Sequence, residues 1–164
     1  MGPIIYSVPH TGTRFVQSFF THCGIKTSRR HVGHKLIGKG QTEVPDGPRI
    51  IPVRNPYDCY MSWHYLHPEK SLVDFVGLWG KLVWRSREGA FFFPLDIEEE
   101  HREQLMQEAP SYVGCYNDIS CKTFSWRPVN KSDRNRELEC PDEMKQALSF
   151  AHEWYEYYTV NWGQ

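Results

Sequence analysis

The sequence predicts a single α/β domain over residues 1–164, a three-layer α/β/α sandwich with a mainly parallel sheet. The first observation is that short apolar runs alternate with longer stretches of helical spacing. The second is that Pro and Gly separate these segments, as expected where strands and helices end. Strands alternating with helices are typical of a parallel sheet covered on both faces. A chain of 164 residues, 40% of them apolar, is long enough to bury one core.

The first two elements are a strand and a helix. Ile4–Val8 is apolar and partly β-branched, and Pro9 ends it, so we expect a short buried strand. Thr13–Cys23 places its phenylalanines on one helical face, and Gly24 stops this helix.

The middle of the chain repeats this order. A basic, polar stretch is predicted to contain a second strand around Arg30–Lys35, and residues 38–48, which contain Gly and Pro, form a loop. Ile50–Val53 is a third strand. The dipeptide Asn55-Pro56 then opens a helix, because Pro is favoured in the first turn.

The C-terminal half contains the remaining elements. Apolar spacing predicts a helix over Ser71–Arg87, followed by a strand over Ala90–Leu95. A charged helix over Ile97–Ala109 and an aromatic-rich helix over Asp142–Tyr158 complete the domain.

Composition excludes several classes of partner. The net charge is −1, so no overall field attracts nucleic acid or a membrane, and any anion site must be local. No apolar run approaches the roughly 20 residues of a membrane span, and the N-terminus lacks a signal-peptide pattern. Five cysteines without a CxxC pair argue against a disulfide framework or a structural zinc site. We expect reduced thiols and a cytoplasmic protein.

The loop between the first strand and the first helix, PHTGTR (9–14), is a candidate anion site. Backbone N–H groups and the positive end of a helix converge at such a loop. Gly12 allows close approach of the backbone, and Thr11 and Thr13 add hydroxyl groups. The alternative is a plain strand-to-helix turn.

This loop differs from the nucleoside-triphosphate loop GxxxxGK(S/T). Ser7 stands at the first Gly, Thr13 at the Lys and Arg14 at the Ser/Thr that binds Mg²⁺. The groups that hold a γ-phosphate and its metal are therefore replaced, which argues against a kinase or an ATPase.

A second motif, RNPYDCYMS, follows the third strand. Arg54 lies at the strand end and Ser62 comes eight residues later on the next helix. Because the carboxyl ends of parallel strands share one edge, we expect both residues near the Gly12 loop. Arginine offers a bidentate fork for phosphate, and serine adds a hydroxyl.

Together, SVPHTGTRF and VRNPYDCYMSW resemble the sulfotransferases that use 3′-phosphoadenosine 5′-phosphosulfate (PAPS), enzymes with a P-loop NTPase-like fold. The resemblance implies transfer of a sulfuryl group from PAPS to a hydroxyl or amine, with adenosine 3′,5′-bisphosphate as product and no metal. It implies that the first loop holds the 5′-phosphosulfate, and that Arg54 and Ser62 hold the 3′-phosphate. The loop residues concerned are His10, Thr11, Gly12, Thr13 and Arg14.

A looser likeness covers residues 129–158. Members of the family close a late basic loop over the nucleotide, which implies this role for Lys131, Arg134 or Arg136. A solvated basic turn is the equal alternative.

The resemblance also indicates the catalytic groups. His10 stands where many members carry a Lys or Arg, and its ordinary pKa of roughly 6.5 makes turnover sensitive to pH. The family's acceptor base lies near the end of the second strand. The candidates here are His34, our first choice, then His31 and Glu43. The alternative for His34 is a surface or core histidine with a purely structural hydrogen bond.

The acceptor is a small molecule, a glycan or a peptide, and the oligomeric state is not predicted. The chain is shorter than most family members, which implies reduced loops around the acceptor. Three alternatives stay open: a non-catalytic adenosine-phosphate-binding protein on the same fold, a nucleotide or nucleoside kinase, and a protein-interaction domain.

Overall fold

The fold is described from a computed structural model, which describes residues 2–8, 11–32, 47–69, 72–85, 89–115, 123–126 and 140–162. The strands are β1 (Ile4–Ser7), β2 (Ser28–His31), β3 (Arg49–Val53) and β4 (Ala90–Pro94). The helices are α1 (Thr13–His22), α2 (Pro56–Leu66), α3 (Leu72–Arg85), α4 (Glu99–Tyr112), α5 (Asp142–Ala147) and α6 (Ser149–Thr159).

The described sheet has four strands in the order β2-β1-β3-β4, and every pair is parallel. In register, Ser7 of β1 lies opposite His31 of β2, and Val53 of β3 lies opposite Pro94 of β4. The predicted α/β class with a parallel sheet is confirmed.

The strand order reverses direction at β1. From β1 the chain moves outward to β2 on one side, and β3 then returns to the other side of β1. Such a switch point opens a crevice between the carboxyl ends of the two central strands, here β1 and β3.

Two apolar cores cover the two faces of the sheet, which makes the fold a three-layer sandwich. On one face, α1 and α4 pack on Ile5, Ile50 and Phe93. On the other face, α2, α3 and α6 pack on Tyr6, Ile51 and their neighbours. Consecutive strand residues thus enter opposite cores, as the pleat of a strand requires.

The second strand, the charged helix and the C-terminal helix depart most from the sequence prediction. The second strand begins at Ser28 rather than near Arg30, because its pairing with β1 starts where Ile4 lies opposite Ser28. Residues 33–35 of the predicted strand lie outside the described residues. The C-terminal helix divides into α5 and α6 at Leu148, whose backbone angles leave the helical region and whose side chain is buried. The charged helix starts at Glu99 and runs past Pro110 to Tyr112.

Within the described ranges, none of the helices combines the length and the apolar character that a membrane span needs.

Candidate functional site

The loop after β1 depends on the conformation of Gly12. Gly12 precedes α1 with φ +81°, in the left-handed region that favours glycine. A Cβ at this position would overlap Cδ1 of Leu95, the residue after β4. The absence of a side chain therefore lets the loop pass close over the carboxyl edge of the sheet.

The hydroxyl groups of this loop are engaged within the protein. Thr11 donates its hydroxyl proton to the carbonyl oxygen of Val8 at 2.7 Å. The Thr13 and Ser7 hydroxyls are hydrogen-bonded to each other at 2.8 Å. All three side chains are buried. Thr11 therefore shapes the turn, and Thr13 ties the start of α1 to the end of β1.

The first turn of α1 presents backbone N–H groups beside the Gly12 loop. No side-chain cap is made at Gly12, and the described first turn contains no acidic residue. The first N–H groups of a helix have no partner within the helix, and they carry the positive end of its dipole. Arg14, in the same turn, is exposed. This end of α1 therefore has the donors and the charge that an anion requires.

His31 lies beside the loop, as the last residue of β2. It pairs with Ser7 in the parallel register, and its Nδ1 lies 3.4 Å from the Ser7 hydroxyl oxygen. The imidazole is half-buried. Of the predicted catalytic residues, His31 is the one that the described structure brings to the carboxyl edge of the sheet.

The RNP motif has a structural explanation for two of its three residues. Asn55 is the N-cap of α2, and its Oδ1 accepts a hydrogen bond from the Tyr57 N–H at 2.9 Å. Pro56 occupies the first helical position, where its missing N–H is not needed. Asn55 and Pro56 thus start α2 immediately after β3. They leave Arg54 at the strand end, where its side chain is only 8% exposed.

The pKa of the Cys59 thiol reports the charges that act near Arg54. Burial raises the pKa of Cys59 to about 12, Arg54 lowers it in part, and Asp58 and Asp96 raise it further. The charges of one cation and two carboxylates therefore act on Cys59, in the first turns of α2. Ser62, on the same helix and one turn beyond Asp58, is half-buried and shares its face.

Asp96 is a candidate that the sequence analysis missed. The backbone of Leu95 donates to the Val53 carbonyl at 3.0 Å, so the chain leaving β4 stays beside the end of β3. The Tyr155 hydroxyl of α6 donates to Asp96 Oδ2 at 3.2 Å. Burial, and then the charge of Asp96, raise the pKa of Tyr155, so this donor stays protonated. The sequence feature that could have identified Asp96 is the position of an acidic residue directly after the predicted strand Ala90–Leu95.

Several predicted site residues lie outside the described residues. They are His10, His34, Glu43, Lys131, Arg134 and Arg136.

The described groups bring hydrogen-bond donors, positive charges and proton acceptors to one edge of the sheet. Backbone donors and Arg14 lie at the end of β1, and Arg54 lies at the end of β3. An imidazole at His31 and a carboxylate at Asp96 are both able to accept a proton. Comparison of the chain with family models, curated proteins and solved structures finds no significant match.

Proposed function

We propose that this protein is a PAPS-dependent sulfotransferase that transfers a sulfuryl group to a hydroxyl or amine acceptor. The observation that carries the proposal is the adjacency of β1 and β3 at the reversal of strand order. The Gly12 loop leaves the first of these strands, and Arg54 follows the second. In open parallel sheets ligands bind at this switch point, and the two motifs that resemble the sulfotransferases meet there.

In this proposal PAPS, the sulfuryl donor, spans the crevice between β1 and β3. The N–H groups of the first turn of α1, together with Arg14, bind the 5′-phosphosulfate, and Gly12 permits the close approach. Arg54 and Ser62 bind the 3′-phosphate. The internal hydrogen bonds of Thr11 and Thr13 hold the loop in shape, so binding requires little reorganisation.

The chemical step is an in-line displacement at sulfur. A bond forms between the acceptor oxygen or nitrogen and sulfur, and the bond from sulfur to the phosphate oxygen breaks. The electron pair of the broken bond leaves on adenosine 3′,5′-bisphosphate. The acceptor proton passes to a base, for which His34 and His31 are the candidates; His31 is the one among the described residues. His10 stabilises the leaving oxygen, and the first loop and Arg54 hold the donor in line.

The acceptor is a small molecule, a glycan or a peptide, and the proposed compartment is the cytoplasm. Cys59 and Cys140 support this compartment, since both are buried thiols outside any disulfide. Thr13 and Arg14 stand where an ATP-dependent loop carries its lysine and its Mg²⁺ ligand, so PAPS is favoured over Mg·ATP.

Calorimetric titration tests the donor site directly. Adenosine 3′,5′-bisphosphate is titrated into the protein beside AMP, ADP and ATP, each with and without Mg²⁺. We expect the bisphosphate to bind best and without a metal requirement. Arg54→Ala should weaken it by about 10- to 150-fold, as loss of hydrogen bonds to a charged group implies. Arg29→Ala, which removes an exposed arginine on β2, is the matched control and should change little.

The other outcomes identify the alternatives. Equal or tighter binding of Mg·ATP would favour a kinase, and equal binding of AMP would remove the role of Arg54 at a 3′-phosphate. Tight binding of the bisphosphate without sulfuryl transfer from PAPS to any acceptor in a broad screen would identify a non-catalytic binding protein. Arg54→Lys, with its melting temperature recorded, separates loss of the ligand contact from loss of folding.

A further inference from the structure

We propose that Ser7 is a positioning residue that couples anion binding at the Gly12 loop to the tautomer of His31. The inference rests on the proposed function, because the 5′-phosphosulfate is the anion concerned. It concerns three side chains that form one hydrogen-bonded row, Thr13, Ser7 and His31.

The row is defined by two contacts at the carboxyl ends of β1 and β2. The Ser7 hydroxyl oxygen lies 2.8 Å from the Thr13 hydroxyl and 3.4 Å from His31 Nδ1. Ser7 is fully buried and Thr13 nearly so. A buried hydroxyl requires partners, since leaving it unsatisfied costs roughly 1–3 kcal/mol. Among the described residues, Thr13 and His31 are the side chains that supply these partners.

The row has a direction, because each hydroxyl carries a single proton. When His31 Nδ1 is an acceptor, Ser7 donates to it and Thr13 donates to Ser7. The proton of Thr13 is then directed away from the loop. When His31 carries its proton on Nδ1, it donates to Ser7 and Ser7 donates to Thr13. The hydroxyl proton of Thr13 is then directed to an anion in the loop.

An anion at the start of α1 therefore favours the second arrangement. The two arrangements differ in which ring nitrogen of a neutral imidazole carries the proton, Nε2 in the first and Nδ1 in the second. In the Nδ1–H tautomer Nε2 is the basic nitrogen, which suits His31 for its proposed role.

The test is ¹⁵N NMR of the histidine ring nitrogens in the full chain. His31 is assigned by comparison with His31→Gln, and spectra are recorded without ligand, with adenosine 3′,5′-bisphosphate, and with inorganic sulfate. We expect His31 Nδ1 to change from an acceptor-type to an N–H-type resonance when either anion binds. Nε2 should change in the opposite sense, whereas protonation would make both nitrogens N–H-type.

Variants distinguish the effect of the Thr13–Ser7–His31 hydrogen bonds from general effects on folding. Ser7→Ala and Thr13→Val should abolish the change at His31, and Thr13→Ser should retain it because the hydroxyl remains. Ser18→Ala removes an exposed hydroxyl of α1 that bonds the Arg14 carbonyl, and it should leave the change intact. Ser7→Ala should also weaken binding of the bisphosphate by about 2- to 10-fold, the net value of one hydrogen bond.

Each outcome decides between the two proposals. The proposed coupling is wrong if the bisphosphate binds and the His31 resonances do not change. It is also wrong if they change equally in the wild type and in Ser7→Ala. In both cases the proposed PAPS site stands. If sulfate changes the tautomer through Ser7 and the bisphosphate does not bind, the coupling stands and the sulfotransferase proposal falls. If neither anion binds, both proposals fall.

Discussion

At the scale of single residues, Gly12 shows how one position limits the whole site. Its left-handed φ and its contact with Leu95 both exclude a side chain, for separate reasons. The first is a property of the backbone and the second is steric. The two are separable by experiment, because Leu95 Cδ1 is the end of a flexible side chain that can be shortened.

Gly12→Ala is expected to lower the free energy of unfolding by about 1–3 kcal/mol, the range for a strained left-handed residue. Chemical denaturation measures this change. Gly77→Ala is the control, since Gly77 lies in α3 with open space around it, and it should stabilise the protein by about 0.5–1 kcal/mol. The double variant Gly12→Ala/Leu95→Ala removes the steric part. A neutral Gly12→Ala would contradict the described loop geometry.

At the scale of elements, the start of α2 determines where Arg54 lies. Asn55 caps the helix through a 2.9 Å hydrogen bond to the Tyr57 N–H, and Pro56 begins its first turn. These two residues make the chain turn immediately after β3. The arginine before them therefore stays at the carboxyl edge of the sheet.

Asn55→Ala should destabilise the protein by about 1 kcal/mol, because one N–H group at the helix start loses its acceptor. Denaturation curves of the two variants Asn55→Ala and Asn55→Asp give the measurement. Aspartate keeps the acceptor oxygen and should stay within a few tenths of a kcal/mol of the wild type. Equal destabilisation by both variants would show that Asn55 acts through its amide nitrogen and not as a cap.

At the scale of the whole molecule, the two cores depend on which face each strand residue enters. Phe93 of β4 is fully buried against α1 and α4, where it contacts Phe19. Phe93→Ala should cost about 3–5 kcal/mol of unfolding free energy, as expected for loss of a buried ring. Tyr157→Ala, at a ring that is 64% exposed, should change stability by less than about 0.5 kcal/mol. Thermal and chemical denaturation of both variants test the assignment of the core.

Stability of the whole molecule should fall at alkaline pH. Burial raises the pKa of the Cys59 thiol to about 12, and it also raises the pKa values of Cys140, Tyr57, Tyr60 and Tyr155. Each group is protonated in the folded protein at a pH where its unfolded form, with a pKa of roughly 8.5 for Cys or 10 for Tyr, has lost its proton. Their contribution to the free energy of unfolding is fully present below about pH 8.5 and decreases as the pH rises towards 12.

Denaturation between pH 8 and pH 11 measures this decrease, which should be steep in the wild type and shallower in Cys59→Ala. Ser18→Ala, at an exposed position, should follow the wild-type slope. Identical slopes for the wild type and Cys59→Ala would show that the thiol ionises equally in the folded and unfolded states.

Local pattern was sufficient to predict most elements and part of the candidate site. The order of strands and helices, the glycine at position 12 of the first loop and the position of Arg54 at a strand end all follow from residues close together in sequence. The boundary errors have tertiary causes, namely the pairing register that moves β2 to Ser28 and the buried Leu148 that divides the last helix.

The sequence by itself determined the alternation of strands and helices and the two motifs, because these depend on side-chain periodicity and on turn residues within a few positions. Only the tertiary structure decided that β3 lies beside β1 and thereby brings the two motifs to one edge. It also decided the pairing of Ser7 with His31, 24 residues apart, and of Asp96 with Tyr155, 59 residues apart. Such contacts depend on which faces of distant elements pack together, and no local pattern specifies that choice.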